Sequence, residues 1–245
     1  MQTQDASADL LFKIWPWLEA NKNRLIAVGI GIVVVGGVIF YITSQREQNE
    51  VDAGQAMTTL MVDSAANNLT GTQLAANYAQ LAEKYSGTMA GSRAQLEAGW
   101  VLFGNGTYPE AEAKFQKLYD ASQNGPLAAT ALLGMAVCEE SQNKPDLAAG
   151  NYQRIVSLFH DSPCVPAAEY ALGRMAMAQN KLTEALGHFK NAASSPLAGS
   201  IGQEAMIRGA EINAKLAATQ AKPAATITPA TTMKPQPAAV QPAAK

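Results

Sequence analysis

The sequence predicts an all-α protein: a single N-terminal transmembrane helix, a helical-repeat domain, and a disordered C-terminal tail. An apolar stretch, a repeat spacing and a shift of composition predict it. Leu25 to Ile42, LIAVGIGIVVVGGVIFYI, holds no charged residue and no proline. Downstream, alanine and aromatic positions recur 37 residues apart. From about Thr219 the chain turns to Pro, Ala and Thr, with no helical stripe. The resulting division is a leader (1–24), a span (25–43), a repeat domain (44–218) and a tail (219–245).

In the leader, Leu10, Leu11, Ile14, Trp15 and Leu18 fall at near-helical spacing, and Pro16 interrupts the run. A short helix lying on the inner leaflet fits this pattern, with partner binding as the alternative.

The 18 residues of the apolar stretch rise about 27 Å as a helix, close to the roughly 30 Å hydrocarbon core of a bilayer. Twelve are Leu, Ile, Val or Phe, worth roughly −4 to −7 kcal/mol of insertion before the glycines are counted. A buried helix of a soluble protein needs no such all-round apolarity. A cleaved signal fits less well, because its apolar region is shorter and ends in a small-x-small site. Ile42 spoils a cut after Ser44, and Val51-Asp52-Ala53 lies far downstream among charges. Lys13, Lys22 and Arg24 precede the span, whereas Arg46 alone follows it closely. Positive charge stays cytoplasmic, so the N-terminus is expected inside and the repeat domain outside. Trp15, Trp17 and Tyr41 mark the two headgroup layers. Ala27 with Gly31, and Gly29 with Gly36, could admit a second membrane helix, although glycine is common in such spans anyway.

After the span, Ala53, Met57, Leu60 and Met61 trace an amphipathic helix, possible as a continuation of the membrane helix. Asn67 to Gly71 reads as a turn, and Thr72 to Tyr85 as a second helix. Repetition then begins. Gly106-Thr-Tyr108-Pro-Glu-Ala111-Glu-Ala-Lys-Phe115 aligns with Asn180-Lys-Leu182-Thr-Glu-Ala185-Leu-Gly-His-Phe189, and Lys144-Pro-Asp-Leu-Ala148-Ala-Gly-Asn-Tyr152 lies between. Ala111, Ala148 and Ala185 are 37 apart, as are Phe115, Tyr152 and Phe189, with Tyr78 another 37 before. Each block follows a helix with a small residue, Gly99, Gly134 and Gly173, and Gly209 is a candidate for the same place in the last helix. Pro126, Pro163 and Pro196 punctuate the ends.

This pattern resembles the tetratricopeptide repeat (TPR): a small residue in helix A, then Ala and, four residues on, an aromatic in helix B, then proline. Small residues let neighbouring helices approach, and the aromatic fills the space between pairs. The spacing departs from 34 residues, repeat two has two extra residues between Gly134 and Ala148, and the early Trp is not kept. The Pro/Ala-rich tail cannot bury enough apolar surface to fold.

Charge excludes some functions. From Gln45 to Gln220 there are 12 Lys and Arg against 17 Asp and Glu, a net of −5. An acidic domain argues against nucleic acid, whose binding rests on phosphate neutralisation. Catalytic signals are weak. Gly29-Ile30-Gly31 lies inside the span and leads to no phosphate-binding loop. His160 falls in a turn between repeats and His188 reads as a surface side chain, neither with metal-ligand spacing. Glu139 and Glu140 point about 100° apart on a helix and form no acid pair. Asn68-Leu-Thr70 and Asn105-Gly-Thr107 fit a glycosylation pattern that is common by chance. Cys138 and Cys164 are expected as two separate buried thiols. No enzyme activity, cofactor or metal is expected, and an enzyme such as a hydrolase stays only as a remote alternative.

The expected working surface is the concave face lined by helix A. Counting from the glycines gives Leu96, Trp100, Phe103 and Gly104, then Ala131, Met135, Cys138 and Glu139, then Tyr170, Arg174, Met177 and Ala178. Such a groove, aromatic and Met-rich, suits a partner helix or an unfolded segment. The competing expectation is that the first hairpin (47–85) or the last helix covers it.

The entrance to the span, Trp17-Leu-Glu-Ala-Asn-Lys-Asn-Arg24-Leu-Ile-Ala-Val-Gly29, together with the layout, resembles the ancillary SecYEG translocon subunit family, the YfgM-like tetratricopeptide proteins. The resemblance covers roughly residues 10 to 217; the Pro/Ala tail departs from it. It implies a bacterial inner-membrane protein with a cytoplasmic N-terminus and a periplasmic repeat domain. Its implied partners are translocon subunits and a periplasmic chaperone or emerging polypeptide. It implies no catalytic residue. A scaffold for envelope assembly or cell division is the alternative.

Overall fold

A computed structural model describes residues 16–66 and 69–220, and among them there are helices and turns but no strands. After a helical turn at 16–20, the helices are α1 (Lys22–Ala66), α2 (Gly71–Lys84), α3 (Met89–Gly104), α4 (Tyr108–Ala121), α5 (Ala128–Ser141), α6 (Pro145–Leu158), α7 (Val165–Ala178), α8 (Leu182–Ser194) and α9 (Gly199–Gln220). The expected leader helix before residue 16, the Asn67-Asn68 part of the first turn and the tail from residue 221 lie outside the described residues.

The apolar stretch and the amphipathic stretch are one helix. The 45 residues of α1 rise about 68 Å. Nothing between Ile42 and Ala53 breaks it, because that segment has no proline or glycine. Thr43, where the apolar run ends, returns its hydroxyl to the carbonyls of Ile39 and Phe40 at 3.0 and 2.9 Å, so its polar group is satisfied within the helix. The N-terminal part of α1 is exposed on all sides, whereas Ala53 and Met57 are buried in the domain.

Local signals start and stop the remaining helices. Thr70 and Gln73 form a capping box on α2, in which the Thr70 hydroxyl accepts from the Gln73 amide and the Gln73 side chain accepts from the Thr70 amide. Thr88 caps α3 through the Gly91 amide at 2.9 Å. The turns joining helix A to helix B repeat in register. Gly106, Asn143 and Asn180 adopt left-handed φ values of 79°, 57° and 58°. Each amide returns to the carbonyl three residues back, and the next amide to the carbonyl five back: Thr107 to Leu102 at 3.0 Å, Lys144 to Glu139 at 2.8 Å, Lys181 to Ala176 at 2.9 Å. That double bond is the Schellman ending, which needs glycine or asparagine at the left-handed position. The period in sequence is therefore also a period in backbone geometry.

The helices form two compact units, Met1–Phe159 and His160–Lys245. In the first, α1 packs on α2 and α3, and α3 to α6 pack each on the next. Met57, Tyr78, Leu81, Ala82, Ala94 and Ala98 make one of its core clusters. In the second, α8 packs on α7 and α9 around Ala176, Ala185, Phe189, Ala192, Ala205 and Ile212. Ala111, Ala148, Ala185, Phe115, Tyr152 and Phe189 are all buried, as their spacing predicts.

Candidate protein-binding surface

The surface is built on the contact between the aromatic of helix B and the glycines of helix A. A Cβ on Gly99 would lie 2.6 Å from the Phe115 ring, and one on Gly134 would lie 2.7 Å from the same ring. Phe115 is therefore clamped between α3 and α5, with no room for a methyl group on either side. In the second unit a Cβ on Gly173 would lie 2.9 Å from Phe189. Gly209 sits more loosely, at 3.7 Å from Leu186.

Trp100 lies on the Phe115 ring edge-on at 4.8 Å and meets Phe103 at 6.0 Å, and Phe103 meets Tyr108 at 5.3 Å. All three, Trp100, Phe103 and Tyr108, are half-buried, a partly open aromatic cluster rooted in the core. In the second unit Tyr170 packs on Phe189 at 5.4 Å and reaches Glu204 with its hydroxyl at 3.4 Å. Tyr170 and Met177 are half-buried and Arg174 is exposed.

The expected groove is narrower than its counting pattern. Leu96, Met135 and Glu139 are buried, at 9 %, 5 % and 4 % exposure, as are Ala131 and Cys138. These are core positions. Helix α5 is covered on more sides than a helix-A pattern implies, because α4 and α6 both pack on it. Leu96, Trp100, Phe103, Met135 and Glu139 belong to the first unit, and Tyr170, Arg174 and Met177 to the second.

Glu139 has a structural partner. Asn151 Nδ2 donates to both its carboxylate oxygens, at 3.0 and 2.9 Å. Burial holds this carboxyl above the usual carboxylate range, against the Asn151 hydrogen bond, which lowers it. Neighbouring Glu140 instead accepts from the Tyr152 hydroxyl at 2.7 Å, so the two acids serve separate contacts. Burial pushes the Cys138 thiol up to about 12, with help from Glu112 and Glu139. Cys138 and Cys164 are both buried and neither is in a disulfide.

His188 is not the plain surface side chain expected. It is half-buried, with Nδ1 2.6 Å from Glu169 Oε2. Glu169 is only 5 % exposed, and a buried carboxylate needs polar partners; Asn191 supplies the second at 3.1 Å. Together with the Gln95 amide, which donates to the Lys114 carbonyl at 3.0 Å, these contacts form a polar clasp in each hairpin. On helix B the clasp always uses the residue just before the aromatic: 114, 151 and 188. That register was visible in the sequence; the helix-A partners, at differing offsets from the glycine, were not. A second feature missed is on α9, where Met206 and Ile207 are 60 % and 56 % exposed beside a cleft of about 280 Å³ against Leu186 and Phe189. Among the described residues no group of His, Cys, Asp and Glu is placed to hold a metal ion.

A family model described as a tetratricopeptide repeat-like domain matches residues 13–192 of the 245. Among solved structures, the nearly identical TPR-like repeats of a kinesin light chain from Podosopora anserina are similar at 13 % identity, with a TM-score of 0.46, covering 73 % of this chain and 91 % of that one. BtubC (BKLC) from P. vanneervenii is similar at 12 % identity and a TM-score of 0.40, covering 82 % of this chain and 98 % of that one. No curated protein matches the sequence significantly.

Proposed function

This chain belongs to the tetratricopeptide repeat-like domain family, and from that premise we propose that it is a membrane-anchored protein-interaction module. Repeats of this kind serve as scaffolds for protein partners. The observation that carries the anchored reading is the single helix α1. It has an 18-residue window of mean hydropathy 2.7, none of it buried, and runs without a break into the core of the repeats. A signal sequence can share this length and composition. The unbroken junction and the burial of Ala53 and Met57 favour an anchor that stays. The family match also begins at residue 13, ahead of the span. The bias of Lys13, Lys22 and Arg24 favours a cytoplasmic N-terminus with the repeats on the other side of the membrane, and the family resemblance makes that membrane a bacterial inner membrane and that side the periplasm. The resemblance at Trp17 to Gly29 gives translocon subunits, with a periplasmic chaperone or an emerging polypeptide, as partners.

The partner-facing residues in this reading are those left open: Trp100, Phe103 and Tyr108 in the first unit, Tyr170, Arg174 and Met177 in the second. The test is photo-crosslinking in cells, with a photoreactive amino acid in place of Phe103 or Met177. Adducts with translocon subunits or secreted chains support the reading. Adducts with division or peptidoglycan proteins move it to an envelope scaffold. No adduct at either position, while an exposed control at Gln153 behaves the same, removes this surface from the proposal. A reporter active only outside the cytoplasm, fused after Gln220, tests topology and should work; an inactive fusion, or a mature chain starting near Gln45, refutes the anchored form.

A further inference from the structure

The unbroken α1 also sets the height and direction of the first unit relative to the apolar span. Glu50 stands eight residues past Ile42, about 12 Å along the helix. Its Oε1 accepts the amide of Met89, the first residue of α3, at 2.6 Å. That contact holds the start of α3 at the height of Glu50, and the carboxylate suits the positive end of the helix. Met57, about 22 Å past Ile42, shares a core cluster with Ala94 and Ala98 further along α3. Helix α3 therefore rises away from the span, parallel to α1. Helix α2 and helix α4, each packed on α3, run back toward the span, and α4 returns the chain at 121–127 to the level of Met89. A cleft of about 390 Å³ confirms the shared level, since Glu50, Gly87, Met89, Ser122, Gly125 and Leu127 all line it.

We propose that this cleft, at the N-terminal ends of α3 and α5, faces the lipid headgroup layer of the membrane that α1 crosses. The proposal rests on the anchored reading given above. The headgroup region adds about 5–8 Å to each side of the hydrocarbon core. A cleft floor about 12 Å beyond the span then stands within a side chain's length of the headgroups. Its lining fits a neutral lipid surface. Glu50 is the charged residue in it and is already bonded, and the rest is Gly, Ser, Thr, Ala, Pro, Leu and the exposed Met89. The other end carries Glu110, Lys144 and Asp146, all exposed, at the starts of α4 and α6. Trp100, eleven residues into the upward run of α3, is held about 28 Å beyond the span. The anchor thus acts as a spacer that keeps the aromatic cluster at a set distance from the bilayer.

The experiment uses the full chain in phosphatidylcholine vesicles, in a Cys138→Ala, Cys164→Ala background. Single labels enter at Ser86→Cys and Gln123→Cys on the near end, at Glu110→Cys and Asp146→Cys on the far end, and at Val34→Cys in the span. All four domain sites are exposed. Energy transfer to acceptors on the lipid headgroups reads the distance. The near labels should lie about 20 Å closer than the far ones, the length of a 14-residue helix. Equal distances, or the reverse order, with Val34 shielded in lipid, overturn the orientation and leave the anchor standing. A Val34 label exposed to water overturns the anchor, and the orientation with it.

Discussion

Replacing Gly134 with alanine separates two opposed effects. In the middle of a helix, Gly→Ala normally stabilises by about 1 kcal/mol, because glycine loses more backbone freedom on folding. Gly134 is the seventh residue of the 14-residue α5. A Cβ there would sit 2.7 Å from three atoms of the Phe115 ring, where ordinary contact begins near 3.4 Å. The ring cannot retreat, because Phe115 is fully buried and its other side abuts Gly99 at a Cβ distance of 2.6 Å. Forcing a methyl group into such a core costs about 3 kcal/mol, the upper end for overpacking. The expected net is a loss of about 2 kcal/mol. Gly150, the sixth residue of α6, is exposed and has nothing within 4 Å of its Cβ position. Gly150→Ala should therefore gain about 1 kcal/mol. Denaturant unfolding of the full chain in detergent, followed by circular dichroism, compares the two. Adding Phe115→Leu to Gly134→Ala should recover part of the loss relative to Phe115→Leu alone, the coupling expected of residues in contact. If Gly134→Ala stabilises as Gly150→Ala does, the clamp on Phe115 is not real and the packing argument for the repeat fails.

Three other outcomes are expected. The Glu139 carboxyl is raised in the folded state by burial, so the native chain binds its proton more tightly than the unfolded chain, and stability falls as pH rises through that window, from the ordinary carboxylate value upward. Glu139→Gln should therefore melt higher than the parent at pH 7 and lose that advantage below about pH 4; an advantage that persists in acid would refute the desolvation argument. With its thiol pushed up to about 12 and fully buried, Cys138 should resist iodoacetamide at pH 8 in the folded protein and react after unfolding, as mass spectrometry of the peptide would show. Glu50→Ala removes the acceptor of the Met89 amide and should cost about 0.5–1 kcal/mol, with faster hydrogen exchange confined to the first turn of α3; unchanged exchange there would mean that the carboxylate contributes nothing.

The boundaries of α1's apolar part, the repeat period and the alternation of helices and turns were legible in the sequence because each depends on local properties. A run without charge shows itself by composition. An alanine and an aromatic four residues apart show one buried face. The left-handed turn positions 106, 143 and 180 lie on the same 37-residue register, as Gly, Asn and Asn. The second helix, expected over 72–85, spans Gly71–Lys84, since Thr70 and Gln73 encode its cap within four residues. What covers each face was decided only by tertiary structure. Leu96, Met135 and Glu139 share the helix-A pattern with Trp100 and Phe103, yet they are core, because burial is set by helices many residues away. His188 stands alone in sequence and gains its partner from Glu169, 19 residues earlier, where α7 brings a carboxylate that burial forbids to remain unpaired. The bond from Met89 to Glu50 spans 39 residues. Hydropathy and spacing report what a residue is and which face of its own helix it shares. They carry no information about which other helix meets that face, and that choice separates the open aromatic cluster from the buried positions beside it.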